Sequence, residues 1–135
     1  MTSFFYIGIM KINHIAIWAK DIEKICDFYQ KYFEGTVHPE YNNPAKKFKS
    51  RFISFEDGTR IEVMHHPDIQ PSTFTEHFGW CHLAISVGSE EMVNELTSRM
   101  GSDGVDITSN PRVTGDGYYE SVVKDPEGNL VELTI

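Results

Sequence analysis

Residues 128–135 read GNLVELTI, and residues 58–65 read GTRIEVMH. In each stretch a glycine is followed four residues later by a glutamate set in an apolar run: Gly58 with Glu62, and Gly128 with Glu132. A second pair of copies lies upstream, His14-Ile15-Ala16-Ile17 and His82-Leu83-Ala84-Ile85. The glutamates are 70 positions apart and the histidines 68. One module is therefore written twice, each copy opening on a histidine strand and closing on a glutamate strand.

Outward from these strands, each half gives the same order of elements. Residues 11–19 alternate as a strand, with Asn13, Ile15, Ile17 and Ala19 on one face and Ile12, His14, Ala16 and Trp18 on the other. Asp21 is placed to cap a helix running to about Glu34, with Gly35 as its C-terminal cap. A short strand is expected over 36–40, a loop over 41–47, and two strands over 48–56 and 60–65 joined by a hairpin at Asp57-Gly58. In the second half the expected elements are a strand over 80–87, a helix capped by Ser89 and ended by Gly101 and Gly104, and strands over 105–108, 118–124 and 129–135. Residues 110–117, with Pro111, Gly115 and Gly117, read as a loop, and Asp125-Pro126-Glu127-Gly128 as a turn. The fold class is α+β: two tandem βαβββ modules whose mixed sheet curves around a metal-containing cavity. Residues 1–10 are an N-terminal extension, 11–66 the first module, 67–79 a linker and 80–135 the second module. Halves of this size must share one core.

The bulk properties narrow the class. With 135 residues, 40% of them hydrophobic, the chain has the length of one globular domain. A net charge of −8 argues against nucleic acid or an anionic membrane as partner and fits a cytoplasmic protein. No apolar run approaches the roughly 20 residues of a membrane-spanning helix. The apolar opening lacks a basic start and a small-residue cleavage site, so it is not read as a signal peptide. Cys26 and Cys81 form no CxxC pair, which excludes a zinc ribbon, and both are expected to be buried, reduced side chains.

Taken singly, His14 or Glu62 would be an ordinary hydrogen-bonded or solvated residue. Two histidines and two glutamates at matching positions in two copies are different. Four ionisable groups facing one cavity are costly to bury unless a cation compensates them. Imidazole and carboxylate together suit a divalent first-row ion. The candidate metal ligands are His14, Glu62, His82 and Glu132. The ion is Ni or Zn by preference, with Co or Mn as alternatives.

The doubled module, the two histidine strands and the ending DPEGNLVEL resemble the vicinal oxygen chelate superfamily, over nearly the whole of residues 11–135. Within it the four ligand positions resemble glyoxalase I, the lactoylglutathione lyases. That resemblance implies isomerisation of a hemithioacetal, made from a 2-oxoaldehyde such as methylglyoxal and a thiol, to a 2-hydroxyacyl thioester through a metal-stabilised enediolate. Glu132 is implied as the main catalytic base with Glu62 opposite it, no redox cofactor is needed, and a homodimer is expected. Whether each site is built within one chain or across two is left open. Related members with this fold act as thiol transferases, epimerases or dioxygenases, or bind small molecules without catalysis. The resemblance stops short of the thiol. Glutathione-using relatives carry Arg, Asn and a basic residue at positions held here by Trp18, His66 and Thr114. Arg51 and Lys124 read as solvated surface charges, and Trp18 and Trp80 share the phase of the histidine strands.

Overall fold

The computed structural model describes residues 10–72 and 76–135. Of the N-terminal extension, only Met10 falls within the described residues. The first strand is shorter than its alternation predicts: β1 covers Ile15–Trp18. Asp21 then starts helix α1, Ile22–Phe33, and its carboxylate accepts the Lys24 backbone N–H. Ile22, Ile25, Cys26, Phe28, Tyr29, Tyr32 and Phe33 make the buried stripe of this helix. It ends one residue earlier than the sequence suggests. Glu34, not Gly35, takes the left-handed conformation at φ 57°. Gly35 is needed for a different reason: a Cβ there would lie 2.6 Å from Cγ2 of Ile53.

Strand β2 (Thr36–Val37) is followed by β3 (Tyr41–Asn43) and a single 3-10 turn at Pro44–Lys46. Residues 41–47 are thus not the loop their composition predicts. Asn43 caps the turn, and the extended residues before it pair with the next strand. Strands β4 (Phe48–Ser54) and β5 (Arg60–His65) complete the module. The second module runs β6 (His82–Ser86), α2 (Glu90–Ser102), β7 (Ile107–Val113), β8 (Tyr119–Lys124) and β9 (Leu130–Thr134). Gly101 lies inside α2, with Asp103 as its C-terminal cap. Strand β7 extends through Pro111 into the segment expected as a loop, and its pairing with β8 shifts register on either side of Ser109. A proline is tolerated where a ladder is already interrupted.

The modules have the same topology. One sheet runs β1-β5-β4-β2, with β3 also on β4, and the other runs β6-β9-β8-β7. In each, the histidine strand pairs in parallel with the glutamate strand, and the rest is antiparallel. This is the tandem βαβββ architecture. Ile53, Ile61 and Val63 in one sheet and Val123, Val131 and Leu133 in the other are almost fully buried under the helices, and they belong to one continuous apolar cluster. Cys26 lies in it, and burial pushes its thiol up to about 11. Cys81 departs from expectation: it is exposed, because β6 begins only at His82.

The modules meet at the turn 125–128, among other places. The Tyr29 hydroxyl donates to Oδ2 of buried Asp125 at 2.9 Å. Oε1 of Glu127 accepts the backbone N–H groups of Lys20 and Asp21 at 2.9 and 3.0 Å. Farther along α1, the Tyr32 hydroxyl donates to Asp103 at 2.7 Å, with Lys31 3.2 Å from the same oxygen. Among the described residues no helix is long and apolar enough to cross a membrane.

Candidate metal centre

The parallel pairing of first and last strands is what brings each histidine to its glutamate. Register sets Ala16 beside Glu62 and Ala84 beside Glu132. A methyl group opposite the glutamate leaves room for the longer side chain to lean along the face. His82 stands two residues before Ala84 on β6, so pleat returns it to the glutamate side, and His14, one residue before β1, takes the matching place beside Glu62. Nε2 of His14 lies 3.6 Å from Oε1 of Glu62, and Nε2 of His82 lies 3.2 Å from Oε2 of Glu132. The histidines are a little over one-third exposed and the glutamates 20% and 15%. Both pairs therefore open to solvent while their carboxylates are partly shielded.

These separations fit ligands to one ion. Two atoms each about 2.1 Å from a divalent ion stand about 3.0 Å apart in octahedral and about 3.4 Å apart in tetrahedral coordination. The donor chemistry also fits, since an imidazole nitrogen and a carboxylate oxygen can each offer a lone pair to a divalent ion. The structure brings His14 to Glu62 and His82 to Glu132. Among the described residues it gathers no group of three or more His, Cys, Asp or Glu around one point. The chain thus carries two separate His/Glu pairs, each a candidate half-site.

The surroundings of the half-sites differ. The first has Phe52, opposite Glu62 in the register of β4 and β5, with its ring edge-on to His14 at 5.4 Å. The Arg60 guanidinium lies 4.5 Å above that ring and donates to Oδ1 of Asn13. The same oxygen is 2.7 Å from Nδ1 of His14. The second half-site has a further carboxyl group, Glu120 on β8. Its contact with Glu132 pushes the Glu120 carboxyl up from its usual range, and desolvation adds to that. Asn13, Arg60 and Glu120 were missed from the sequence. Arg60 is two residues before Glu62 and Glu120 two before Val122, so strand phase could have shown both. Asn13 could not be found that way. In a regular strand it would face away from His14, but β1 starts only at Ile15 and the pleat does not reach it.

The other polar candidates are occupied elsewhere. Arg51 binds Glu23 on α1 through both carboxylate oxygens, at 2.8 and 2.9 Å. Lys124 stands 3.8 Å from Asp106. His65 bonds the Ala19 carbonyl, His38 bonds Ser54, and His66 faces Asp68. Trp18 sits edge-on to Phe48 and is 44% exposed, and Trp80 is 91% exposed. A cleft lined by Phe28, Asp103, Lys124 and Asp125 lies at the joint between modules and includes none of the four candidate ligands.

A family model described as the Glyoxalase/Bleomycin resistance protein/Dioxygenase superfamily matches residues 11–133. The chain is 24% identical over 127 residues to a lactoylglutathione lyase of Neisseria meningitidis serogroup A, covering 92% of this chain and 89% of that protein. Its fold is similar to that of glyoxalase I from Zea mays, with a TM-score of 0.77 and 21% identity over 92% of this chain. The chain spans 44% of that longer protein. A glyoxalase family protein from Enterococcus faecalis is similar over 93% of this chain and 97% of its own length, with a TM-score of 0.76 and 23% identity.

Proposed function

The chain belongs to the Glyoxalase/Bleomycin resistance protein/Dioxygenase superfamily as a glyoxalase I-like member, and from that premise we propose that it is a metal-dependent isomerase of hemithioacetals. Its substrate is the adduct of a 2-oxoaldehyde with a thiol, and its product a 2-hydroxyacyl thioester. The observation that carries this reading is the pair of matched His/Glu half-sites, with Nε2–Oε separations of 3.6 and 3.2 Å on equivalent strands. His14, Glu62, His82 and Glu132 hold the ion. Nickel and zinc suit this donor set, as do cobalt and manganese.

A divalent ion held there supplies positive charge that polarises adjacent carbonyl and hydroxyl oxygens of the substrate. The chain's own part is proton transfer. Glu132 takes the proton from the carbon that bears sulfur and hydroxyl, and the same proton is returned to the neighbouring carbon. The hydroxyl proton passes to the former carbonyl oxygen, so the first carbon becomes the thioester carbonyl and the second the carbinol. No electron carrier takes part. General-base assistance of this kind contributes about 10²–10⁴ in rate.

Since each half-site holds two ligands, the reading includes a homodimer in which the first half-site of one protomer meets the second half-site of its partner. The protein works in the cytoplasm on a small molecule. The thiol is left open: the Arg, Asn and basic residue of glutathione-using relatives are replaced here by Trp18, His66 and Thr114, so these positions lend glutathione no support.

The test is direct. Purified protein is stripped of metal, reloaded separately with Ni²⁺, Zn²⁺, Co²⁺ or Mn²⁺, and given methylglyoxal with a panel of low-molecular-weight thiols. Thioester absorbance should rise with at least one ion and one thiol, and vanish with chelator. Absence of thioester across the whole panel, with metal bound, would overturn the proposal.

A further inference from the structure

His14 is held by a hydrogen-bonded relay whose polarity can be read without ambiguity. Arg60 has only donors, and its terminal amine lies 2.5 Å from Oδ1 of Asn13. That contact fixes which end of the Asn13 amide is oxygen. The same oxygen is 2.7 Å from Nδ1 of His14. An amide oxygen only accepts, so Nδ1 of His14 must carry the proton. A neutral imidazole protonated at Nδ1 has its lone pair on Nε2, the nitrogen that faces Glu62 at 3.6 Å. A metal ligand needs this tautomer here, and a bond to the second ring nitrogen is the usual way it is set.

We propose that Asn13 and Arg60 are positioning residues that lock His14 in its Nδ1–H tautomer and aim Nε2 at the metal. The inference rests on the metal role proposed for His14. Asn13 acts on the imidazole, and Arg60 acts one step back. Arg60 is itself steadied by the Phe52 ring 4.5 Å beneath it, and that ring also meets the edge of His14. The relay belongs to the first half-site alone. Register puts Leu130 beside His82, where an equivalent of Arg60 would stand. The two histidines are therefore held differently although the strands repeat.

The first measurement needs neither metal nor mutation. Nitrogen-15 shifts of the His14 ring in the metal-free protein, at about pH 8 where an ordinary histidine is neutral, should report Nδ1–H. An Nε2–H tautomer overturns the inference whatever the protein catalyses. The second measurement is Zn²⁺ affinity by competition with a chromophoric chelator. N13A should bind about 10–100-fold more weakly than wild type. N13D, which keeps an acceptor, should recover most of that loss, and R60A should fall between. Wild-type affinity in N13A with an unchanged tautomer overturns the relay. A wild-type protein that takes up no divalent ion overturns the metal reading, and the tautomer measurement tells that failure apart from failure of the relay.

Discussion

At Gly35 the backbone passes so close to β4 that a single methyl group has no room. The obstructing atom is a branched methyl of fully buried Ile53, which cannot swing aside. G35A should therefore lose about 1–3 kcal/mol, the ordinary cost of overpacking, read as a lower urea midpoint at unchanged slope. At the half-sites the expected losses are chemical instead. E132Q keeps an oxygen for the ion but cannot accept a proton, so turnover should fall about 10²–10⁴-fold, while far-UV circular dichroism stays that of wild type. A turnover within threefold of wild type would remove Glu132 as the base. Residue types and spacing announced this glutamate, because both copies preserve it. They announced Gly35 as well, but gave the wrong reason. The left-handed cap falls on Glu34, and what selects glycine is a contact with a strand 18 residues away.

At the scale of elements, α1 does more than cover its own sheet. Its tyrosines reach the second module. Tyr29 donates to Asp125, and the surroundings drive its phenol far above the usual range, mainly by burial and then by the Asp125 charge. Asp125 has other donors from Glu127 and Asn129, so Y29F leaves the carboxylate partly satisfied. The substitution should cost about 1.5–3 kcal/mol, the range for a hydrogen bond to a charged group, measured by urea unfolding. The Tyr32–Asp103–Lys31 cluster gives a pH signature. The Tyr32 hydroxyl, and then Lys31, hold the Asp103 carboxyl below its usual range. A depressed folded value means that the stability is present above the unfolded value of about 3.9 and is lost as pH falls through the folded one. The Tm difference between wild type and D103N should be constant from pH 8 to 5 and shrink below pH 4. A difference that persists at pH 2 would show that the cluster acts through packing. Helix starts at Asp21 and Ser89 were legible because a cap is a local bond, formed within three residues. Strand β3 and the extension of β7 through Pro111 were not legible. Both segments are rich in turn formers, and cross-strand bonds to β4 and β8 override that local preference.

At the scale of the molecule, the two half-sites decide what assembly is expected. If each site joins the first half-site of one protomer to the second of its partner, two dead variants can rescue each other. H14A/E62A and H82A/E132A should each be inactive alone. Co-refolded, they should regain activity, because one of the two sites in the mixed dimer keeps all four ligands. No recovery, with mixed dimers demonstrated by mass, would place the complete site within a single chain. The same experiment reads assembly directly, since a protein that stays monomeric at micromolar concentration cannot complement.

The sequence by itself determined the doubling, the N-terminal caps of both helices, the aliphatic face of each sheet and the matched His/Glu strands. All of these follow from short-range periodicity, or from a repeat whose copies fold alike because they carry the same pattern. Only the tertiary structure decided that each histidine meets its own module's glutamate, that Asn13 turns toward His14, that Arg60 borders the first half-site and Glu120 the second, and that the DPEG turn and α1 tie the modules together. Most of those facts depend on strand register and on groups brought together from as far as 107 positions apart in the chain. Periodicity assigns a residue to a face, but the neighbour it meets there is set by the pairing of strands distant in sequence.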